Sequence, residues 1–144
     1  MNYIDAVTFI PIHPDGKILM QLRDDGGEKT IPYPNMWCFP GGGKEEKETH
    51  IEAVIREMKE EFNLDVGRDD CHLIMEYDHD DNRGDQIFIC RIPQDAMPEL
   101  HEGAEMKWMT LEEIERVPLA WQQHTILSEL KEKIKKFLRI QAKF

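Results

Sequence analysis

The chain has 144 residues, 40% of them hydrophobic, and carries a formal net charge of −11. This length and composition are typical of one globular domain, so residues 1–144 are predicted to form a single domain. The strong negative charge argues against duplex nucleic acid as a partner, because that binding depends on neutralising phosphates. The first residues lead into a strand-like pattern and no apolar run is long enough for a bilayer, so neither a signal peptide nor a membrane span is predicted.

Three cysteines are scattered along the sequence, at positions Cys38, Cys71 and Cys90. Their number is odd, and their spacing does not match a metal site. We interpret them as buried or half-buried thiols in a reducing compartment, which predicts a cytoplasmic protein.

The N-terminal part of the sequence predicts a pair of strands followed by a loop. Tyr3–Ile12 is rich in β-branched and apolar residues, and Lys17–Arg23 predicts a second strand, antiparallel to the first. Arg23 ends this strand, either as an ordinary surface cation or as a side chain that points into a site. The loop 24–35 has no periodicity, and loops of this length often cover sites. Within it, Tyr33 either packs or stacks on a ligand ring.

The next segment predicts a capped amphipathic helix. Thr49 and Glu52 form a capping-box pattern, so the helix is expected to begin at about His50. A single apolar stripe then follows at helical spacing. Its members are Ile51, Ile55, Met58 and Phe62.

Three glutamates of this helix form an acidic cluster. Glu57, Glu60 and Glu61 are spaced so that their carboxylates gather on a different face, away from the apolar stripe. Only Arg56 is placed to relieve their repulsion directly, and a hard divalent cation such as Mg²⁺ is a second means. The alternative is an ordinary solvated acidic face. Three glycines in the preceding Phe39–Gly43 allow the backbone to approach a metal-bound polyphosphate.

These residues resemble the Nudix box, G-x5-E-x7-R-E-U-x-E-E-x-G-U, in which U is a bulky apolar residue. The pattern is filled by Gly42, Glu48, Arg56, Glu57, Met58, Glu60, Glu61 and Leu64. Asn63 replaces the last glycine, and asparagine also tolerates the left-handed conformation expected at a helix C-terminus. The preceding WCFPGG is similar to the segment found at this place in MutT-type members.

Beyond the helix, Cys71–Tyr77 and Gln86–Ile92 predict paired strands. The acidic segment 78–85 between them invites comparison with a calcium-binding EF-hand loop. Arg83 stands where the loop glycine belongs, however, and Ile89 where the bidentate glutamate belongs. We therefore predict a solvated hairpin turn.

The C-terminal part predicts one short strand and two helices. The strand is Glu105–Met109, and a helix capped by Thr110 runs to about Arg116. The last helix is predicted from about Trp121 to Ala142, with its lysines outside. Its inner side is formed by Leu127, Leu130, Ile134, Phe137, Leu138 and Gln141.

The family resemblance implies a fold and a reaction. The fold is the Nudix α/β/α sandwich, with a mixed β-sheet between helices, which the alternation of strands and helices also favours. The reaction is hydrolysis of a nucleoside diphosphate linked to another group, in a nucleoside triphosphate or a nucleotide sugar, by attack of water on phosphorus. The implied cofactor is Mg²⁺, with Mn²⁺ as an alternative. A homodimer is left open.

The resemblance also implies metal ligands. Glu57 and Glu61 are the main ones, with Glu60 as a third and the carbonyl near Gly42 as another. Glu102 stands six residues before Trp108, the spacing of a glutamate that reaches the metal in MutT-type members. Glu57 is alternatively the general base, since ligand and base roles are hard to separate in such clusters.

The remaining roles concern positioning and substrate. Arg56 is expected to orient Glu60 and Glu48, and all three count as catalytic candidates together with Glu57. Arg23 matches an arginine that contacts phosphate in MutT-type members. Trp121 falls where guanine-specific members place an asparagine that binds the base, so stacking on Trp121 is expected instead.

Two other functions are compatible with the same fold. A Nudix-like sensor would bind a nucleotide or metabolite without chemistry, but it has no need of three clustered glutamates. A diphosphate isomerase would require a cysteine–glutamate pair, for which Cys38 and Cys71 are the available cysteines.

Overall fold

The computed structural model describes residues 3–79 and 82–141, without the side chain of Gln141. The described residues form seven strands and three helices. In chain order they are β1 (Ile4–Ile12), β2 (Ile18–Leu22), β3 (Trp37–Cys38), β4 (Gly41–Gly43), α1 (His50–Phe62), β5 (Cys71–His79), β6 (Arg83–Arg91), β7 (Glu105–Met109), α2 (Leu111–Glu115) and α3 (Leu127–Gln141).

All seven strands belong to one mixed sheet. Five of them lie in the order β3-β2-β1-β6-β5, while β4 pairs with β1 and β7 pairs with β2. β1 and β6 run parallel, and the other strand pairs are antiparallel. The predicted mixed sheet is therefore confirmed, including the antiparallel pairing of β1 with β2 and of β5 with β6.

Helices cover both faces of this sheet. Side chains alternate along β1, so Phe9 packs into the core beneath α1, and Ile10 packs into the core beneath α2 and α3. On the first face, Met58 and Phe62 of α1 complete the core. On the second face Ile134 of α3 does so. The α/β/α sandwich is thus confirmed.

β1 and β2 separate soon after the turn that joins them. Ile12 and Ile18 pair directly, and beyond them β1 turns to β4 while β2 turns to β7. The two strands therefore open a gap within the sheet, bordered on one side by the glycines of β4. A cavity forms at this gap.

α1 begins where the sequence predicts it. The Thr49 hydroxyl accepts a hydrogen bond from the Glu52 backbone N–H (3.2 Å), and the Glu52 carboxylate accepts one from the Thr49 N–H (2.9 Å). The helix ends at Asn63, whose φ of 54° is left-handed. Asparagine tolerates this conformation better than most residues, as expected for its place in the box.

The last helix begins later than predicted. Trp121 and Gln122 have φ values of 59° and 57°, which no helix accepts, and a short 3-10 turn follows before α3 begins at Leu127. The predicted start was therefore wrong, because a hydrophobic pattern contains no information on the sign of φ. Ala142 and the side chain of Gln141, both assigned to this helix by the pattern, lie outside the described residues.

The cysteines agree with their prediction, since Cys38, Cys71 and Cys90 are buried and free. Among the described residues no helix combines the length and the apolar character needed to cross a bilayer.

Substitution Thr49→Ala is expected to lower the free energy of unfolding by about 1 kcal/mol, because it removes one half of the capping box. Thr30→Ala, in the exposed loop before β3, is the control and should change it by less than about 0.5 kcal/mol. Urea denaturation measures both. Equal losses in the two variants would show that the cap does not stabilise α1.

Candidate active site

The glycine strand β4 brings the backbone against α1. Gly42 lies opposite Val7 in the β1–β4 pair. A Cβ at Gly42 would collide with the carboxylate of Glu57, so only glycine lets that carboxylate lie directly against the strand. The backbone at Gly42 thus lies beside one of the predicted metal ligands.

Three carboxylates meet next to this strand. Glu57, Glu61 and Glu102 each offer an oxygen, and these oxygens lie within 4.8 Å of one another. Glu57 and Glu61 come from successive turns of α1, and Glu102 comes from the loop before β7. Two hydrogen bonds to the backbone of this loop fix it: the His101 N–H donates to the Glu61 carbonyl (2.8 Å), and the side-chain Nε2 of Gln21 donates to the Glu102 carbonyl (2.7 Å).

Glu61 is the buried member of this cluster. It is 3% exposed, and its Oε2 has no hydrogen-bond partner among the described residues. Burial in the first place, and then the nearby Glu57 and Glu102, raise the pKa of Glu61 to about 10. The expectation that this carboxylate lies away from the apolar stripe was wrong, because Glu61 sits beside Phe62, within the buried face of α1.

The donor set fits a hard divalent cation. Carboxylate oxygens are the ligands that such ions prefer. A buried carboxylate oxygen without a partner, next to two further carboxylates, is costly unless positive charge compensates it. A cation at this place would supply that charge.

Arg56 holds the carboxylates around the cluster. Its Nε and Nη2 donate to the two oxygens of Glu48 (3.0 and 2.6 Å), and Nη2 also donates to the Gly43 carbonyl (3.0 Å). Its Nη1 donates to Glu57 (2.9 Å) and to Glu60 (3.3 Å). The hydrogen bonds from Arg56 hold the pKa of Glu48 down at about 2. Arg56 therefore contacts both predicted partners, Glu48 and Glu60, and Glu57 as well.

Glu60 does not join the three-carboxylate cluster. Its side chain is 58% exposed and faces Arg56. One step along a helix rotates a side chain by about 100°, which turns Glu60 outwards while Glu61 points inwards. Glu102 takes the third position that the sequence analysis gave to Glu60. Glu48 also lies outside the cluster and is bound by Arg56.

A cavity of about 450 Å³ opens beside the carboxylates, lined by residues that include Glu61, Glu102 and Gly42. Arg23 and Trp121, two of the predicted substrate residues, line it as well. The fold therefore brings predicted metal-binding and substrate-binding residues to one cavity.

Trp121 contacts both Arg23 and Tyr33. The Arg23 guanidinium carbon is 4.9 Å from the centre of the Trp121 ring, and Arg23 Nε donates to the Pro32 carbonyl (3.0 Å). The Tyr33 ring centre is 4.9 Å from that of Trp121. Trp121 lines the cavity, whereas Tyr33 supports Trp121 from the side.

A second polar group lines the cavity, and the sequence analysis missed it. β5 continues to His79 and β6 begins at Arg83, so most of the predicted turn is strand. The side chains of His79 and Asp85 are only 11% and 14% exposed. The Thr8 hydroxyl donates to Asp85 Oδ2 (2.8 Å), and burial raises the pKa of Asp85 against the opposing effect of this hydrogen bond.

The predicted hairpin is confirmed, since β5 and β6 pair antiparallel across this segment, but the predicted solvation was wrong for His79, Gly84 and Asp85. Strand alternation sends Tyr77 and His79 to the same side, and likewise Arg83 and Asp85. Extending the period of two from the neighbouring strands would have revealed this. Asp80 and Asp81, which the prediction also included, lie outside the described residues.

Comparison with known proteins gives consistent matches. A family model described as NUDIX domain matches residues 2–130. The CTP pyrophosphohydrolase of Escherichia coli (strain K12) is 28% identical over an alignment of 126 residues that covers 83% of this chain and 85% of that protein. A structure from work on MutT of Aliivibrio salmonicida and Vibrio cholerae has a TM-score of 0.74 at 22% identity, covering 94% of this chain and 99% of the other. The NUDIX domain of Shewanella oneidensis NrtR, solved with ADP ribose, gives a TM-score of 0.75 at 15% identity, covering 93% and 90%.

The chain belongs to the NUDIX family, because the family model spans nearly all of it. The resemblance seen in the box is thereby confirmed. The chain is thus a Nudix hydrolase, as the sequence predicted.

The buried Glu61 is expected to make the metal-free protein less stable as pH rises. The unfolded chain loses this proton near pH 4.5 and the folded chain only near pH 10, so between these values the folded state binds the extra proton. The stabilising contribution is full below pH 4.5 and is lost towards pH 10. Thermal melts in EDTA across this window should show Glu61→Gln gaining stability relative to wild type.

Glu46→Gln, which alters an exposed glutamate of the same segment, is the matched control and should follow wild type at every pH. Parallel curves for wild type and Glu61→Gln would contradict the burial of an ionisable Glu61.

Proposed function

We propose that the protein is a Mg²⁺-dependent pyrophosphohydrolase acting on a nucleoside diphosphate linked to another group, such as a nucleoside triphosphate or a nucleotide sugar. The observation that carries this proposal is the buried Glu61, unpartnered at Oε2, beside two further carboxylates and a cavity. CTP and ADP ribose, named for two of the similar proteins, both contain a nucleoside diphosphate.

Glu57, Glu61 and Glu102 would hold the cation, with Mn²⁺ able to replace Mg²⁺. When bound, such an ion neutralises phosphate oxygens and lowers the pKa of a coordinated water. The carbonyl near Gly42 adds a further oxygen beside Glu57. The exposed Glu60 is better explained as a partner of Arg56 than as a ligand.

Glu57 is also the carboxylate best suited to accept the proton of the attacking water. Burial raises its pKa, and the Arg56 hydrogen bond opposes that rise. Arg56 Nη1 donates to Glu57 Oε1 at 2.9 Å, which fixes the side chain. Glu48 in turn fixes Arg56 through two hydrogen bonds, so its effect on the reaction is one of positioning.

Substrate contacts are assigned to the other lining residues. Arg23 carries a permanent positive charge in the cavity and suits a phosphate of the substrate. Trp121 offers an aromatic surface to the base, and Tyr33 supports that ring. The substrate is thus a small nucleotide-type molecule.

The two alternatives fit the cavity less well. Cys38 lines it, but burial raises the pKa of this thiol to about 12, so the reactive thiolate of an isomerase is not formed near neutral pH. A sensor without chemistry would gain nothing from a buried carboxylate held beside two others.

Substitution Glu61→Gln is expected to lower Mg²⁺-dependent hydrolysis by at least about a hundredfold, because it removes a charged ligand while keeping the shape of the side chain. The measurement is release of phosphate species from a panel of nucleoside triphosphates, nucleotide sugars, ADP-ribose and dinucleoside polyphosphates. Circular dichroism checks that the fold is retained.

Glu46→Gln again serves as the matched control and should keep wild-type rates. Undiminished turnover in a folded Glu61→Gln protein would contradict the role of Glu61 as a metal ligand. Failure of wild type to hydrolyse any member of the panel would overturn the proposed function itself.

A further inference from the structure

The buried polar atoms that lack hydrogen-bond partners are concentrated in one place. Among the described residues there are five such side-chain atoms, and four belong to residues that line the cavity. Glu61 Oε2 lies in the carboxylate cluster. The other three are His79 Nε2, Arg83 Nε and Asp85 Oδ1. Buried polar groups are normally paired, so this second concentration calls for a ligand.

These three residues stand in a fixed row. Arg83 Nη2 lies 3.3 Å from His79 Nδ1, and His79 Nε2 lies 3.7 Å from Asp85 Oδ2. The Thr8 hydroxyl closes the row by donating to the same Asp85 oxygen (2.8 Å). The order is therefore Arg83, His79, Asp85, set by the pairing of β5 with β6 and of β6 with β1.

The hydrogen-bonding character of each free atom follows from its neighbours. Arg83 has only donors, so His79 Nδ1 accepts from Arg83 Nη2 and a ring proton lies on Nε2. His79 Nε2 and Arg83 Nε are then free donors. Asp85 Oδ2 is occupied by Thr8, which leaves Oδ1 as a free acceptor. In the order Arg83, His79, Asp85, the row therefore offers a ligand two hydrogen-bond donors and then one acceptor.

We propose that this row binds the base of the nucleotide and selects cytosine. The 2-oxo, N3 and 4-amino groups of cytosine present acceptor, acceptor, donor, which complements all three free atoms in order. Adenine matches only Asp85 and His79, through its amino group and N1. Uracil and guanine each place a ring N–H against the His79 donor, and such an unpaired or clashing polar contact is what gives strong discrimination.

The location of the row suits a base whose diphosphate reaches the carboxylates. Thr8 pairs with Gly41, and the next residue, Gly42, abuts Glu57. Trp121 flanks the row, with its ring 5.0 Å from the Arg83 guanidinium carbon. Stacking on such a ring adds affinity for any base, so selection falls to the row. The inference rests on the proposed function, of which it names the substrate class.

The test is a binding experiment without metal and without turnover. Calorimetric titration of the full chain with the 5′-monophosphates of cytidine, adenosine, uridine and guanosine in EDTA measures the base preference alone. Cytidine monophosphate is expected to bind at least about tenfold more tightly than the uridine and guanosine compounds, with adenosine monophosphate between. Equal affinities, a different order or no binding would overturn the inference.

Substitution Asp85→Asn then assigns the preference to the row. Its amide can accept from Thr8 and present N–H to the base, so cytidine monophosphate should lose at least about tenfold in affinity, while uridine monophosphate should bind more tightly because its 4-oxo group gains a donor. A purely structural Asp85 would weaken both equally. Asp78→Asn, the same change at an exposed position of β5, is the control and should keep the wild-type ranking.

The outcome separates this inference from the proposed function. Hydrolysis of nucleotides without a preference for cytidine monophosphate would overturn the base assignment alone. A clear preference in a protein that hydrolyses nothing would overturn the hydrolase assignment alone. If Asp85→Asn does not fold, the ranking of the four monophosphate affinities in the wild-type protein still tests the inference.

Discussion

The site depends on a carboxylate that the fold buries beside two others. Among the buried residues of α1, Glu61 comes between Met58 and Phe62, and the loop carrying Glu102 is bound to the Glu61 carbonyl through His101. Burial and like charge together oppose ionisation of Glu61 in the metal-free protein. The arrangement becomes favourable when a cation neutralises it. The proposed cation would therefore answer both the electrostatics of the cluster and the chemistry of the proposed reaction.

The divergence of β1 and β2 opens the cavity that lies beside this carboxylate cluster. A continuous sheet would fill the space between the strands with hydrogen bonds, whereas the gap leaves a cavity that both layers of helices border. Glycines in β4 let the backbone lie against Glu57 on one side and against Thr8 on the other. One short strand thus connects the carboxylates with the polar row on β5 and β6.

The sequence predicted most of the fold because local rules agree with it: the capping box at Thr49, the strand patterns and the box spacing all reappear in the structure. It failed where tertiary context decides. A helical pattern cannot show that Trp121 adopts positive φ, or that Glu61 faces inwards while Glu60 faces Arg56. The acidity of segment 78–85 suggested solvent, although alternation along the strands turns His79, Arg83 and Asp85 into the cavity. Strands as short as β3, which has two residues, cannot be predicted from a periodic pattern.

The central claim is that a divalent cation binds at Glu61 and its two neighbours. Titration of Mg²⁺ into the metal-free protein at neutral pH, by calorimetry in two buffers of different ionisation enthalpy, counts the protons exchanged. The account predicts release of about one proton on binding, since Glu61 must ionise to become a ligand, and loss of that release in Glu61→Gln. Binding without proton release, or binding unchanged in Glu61→Gln, would contradict it.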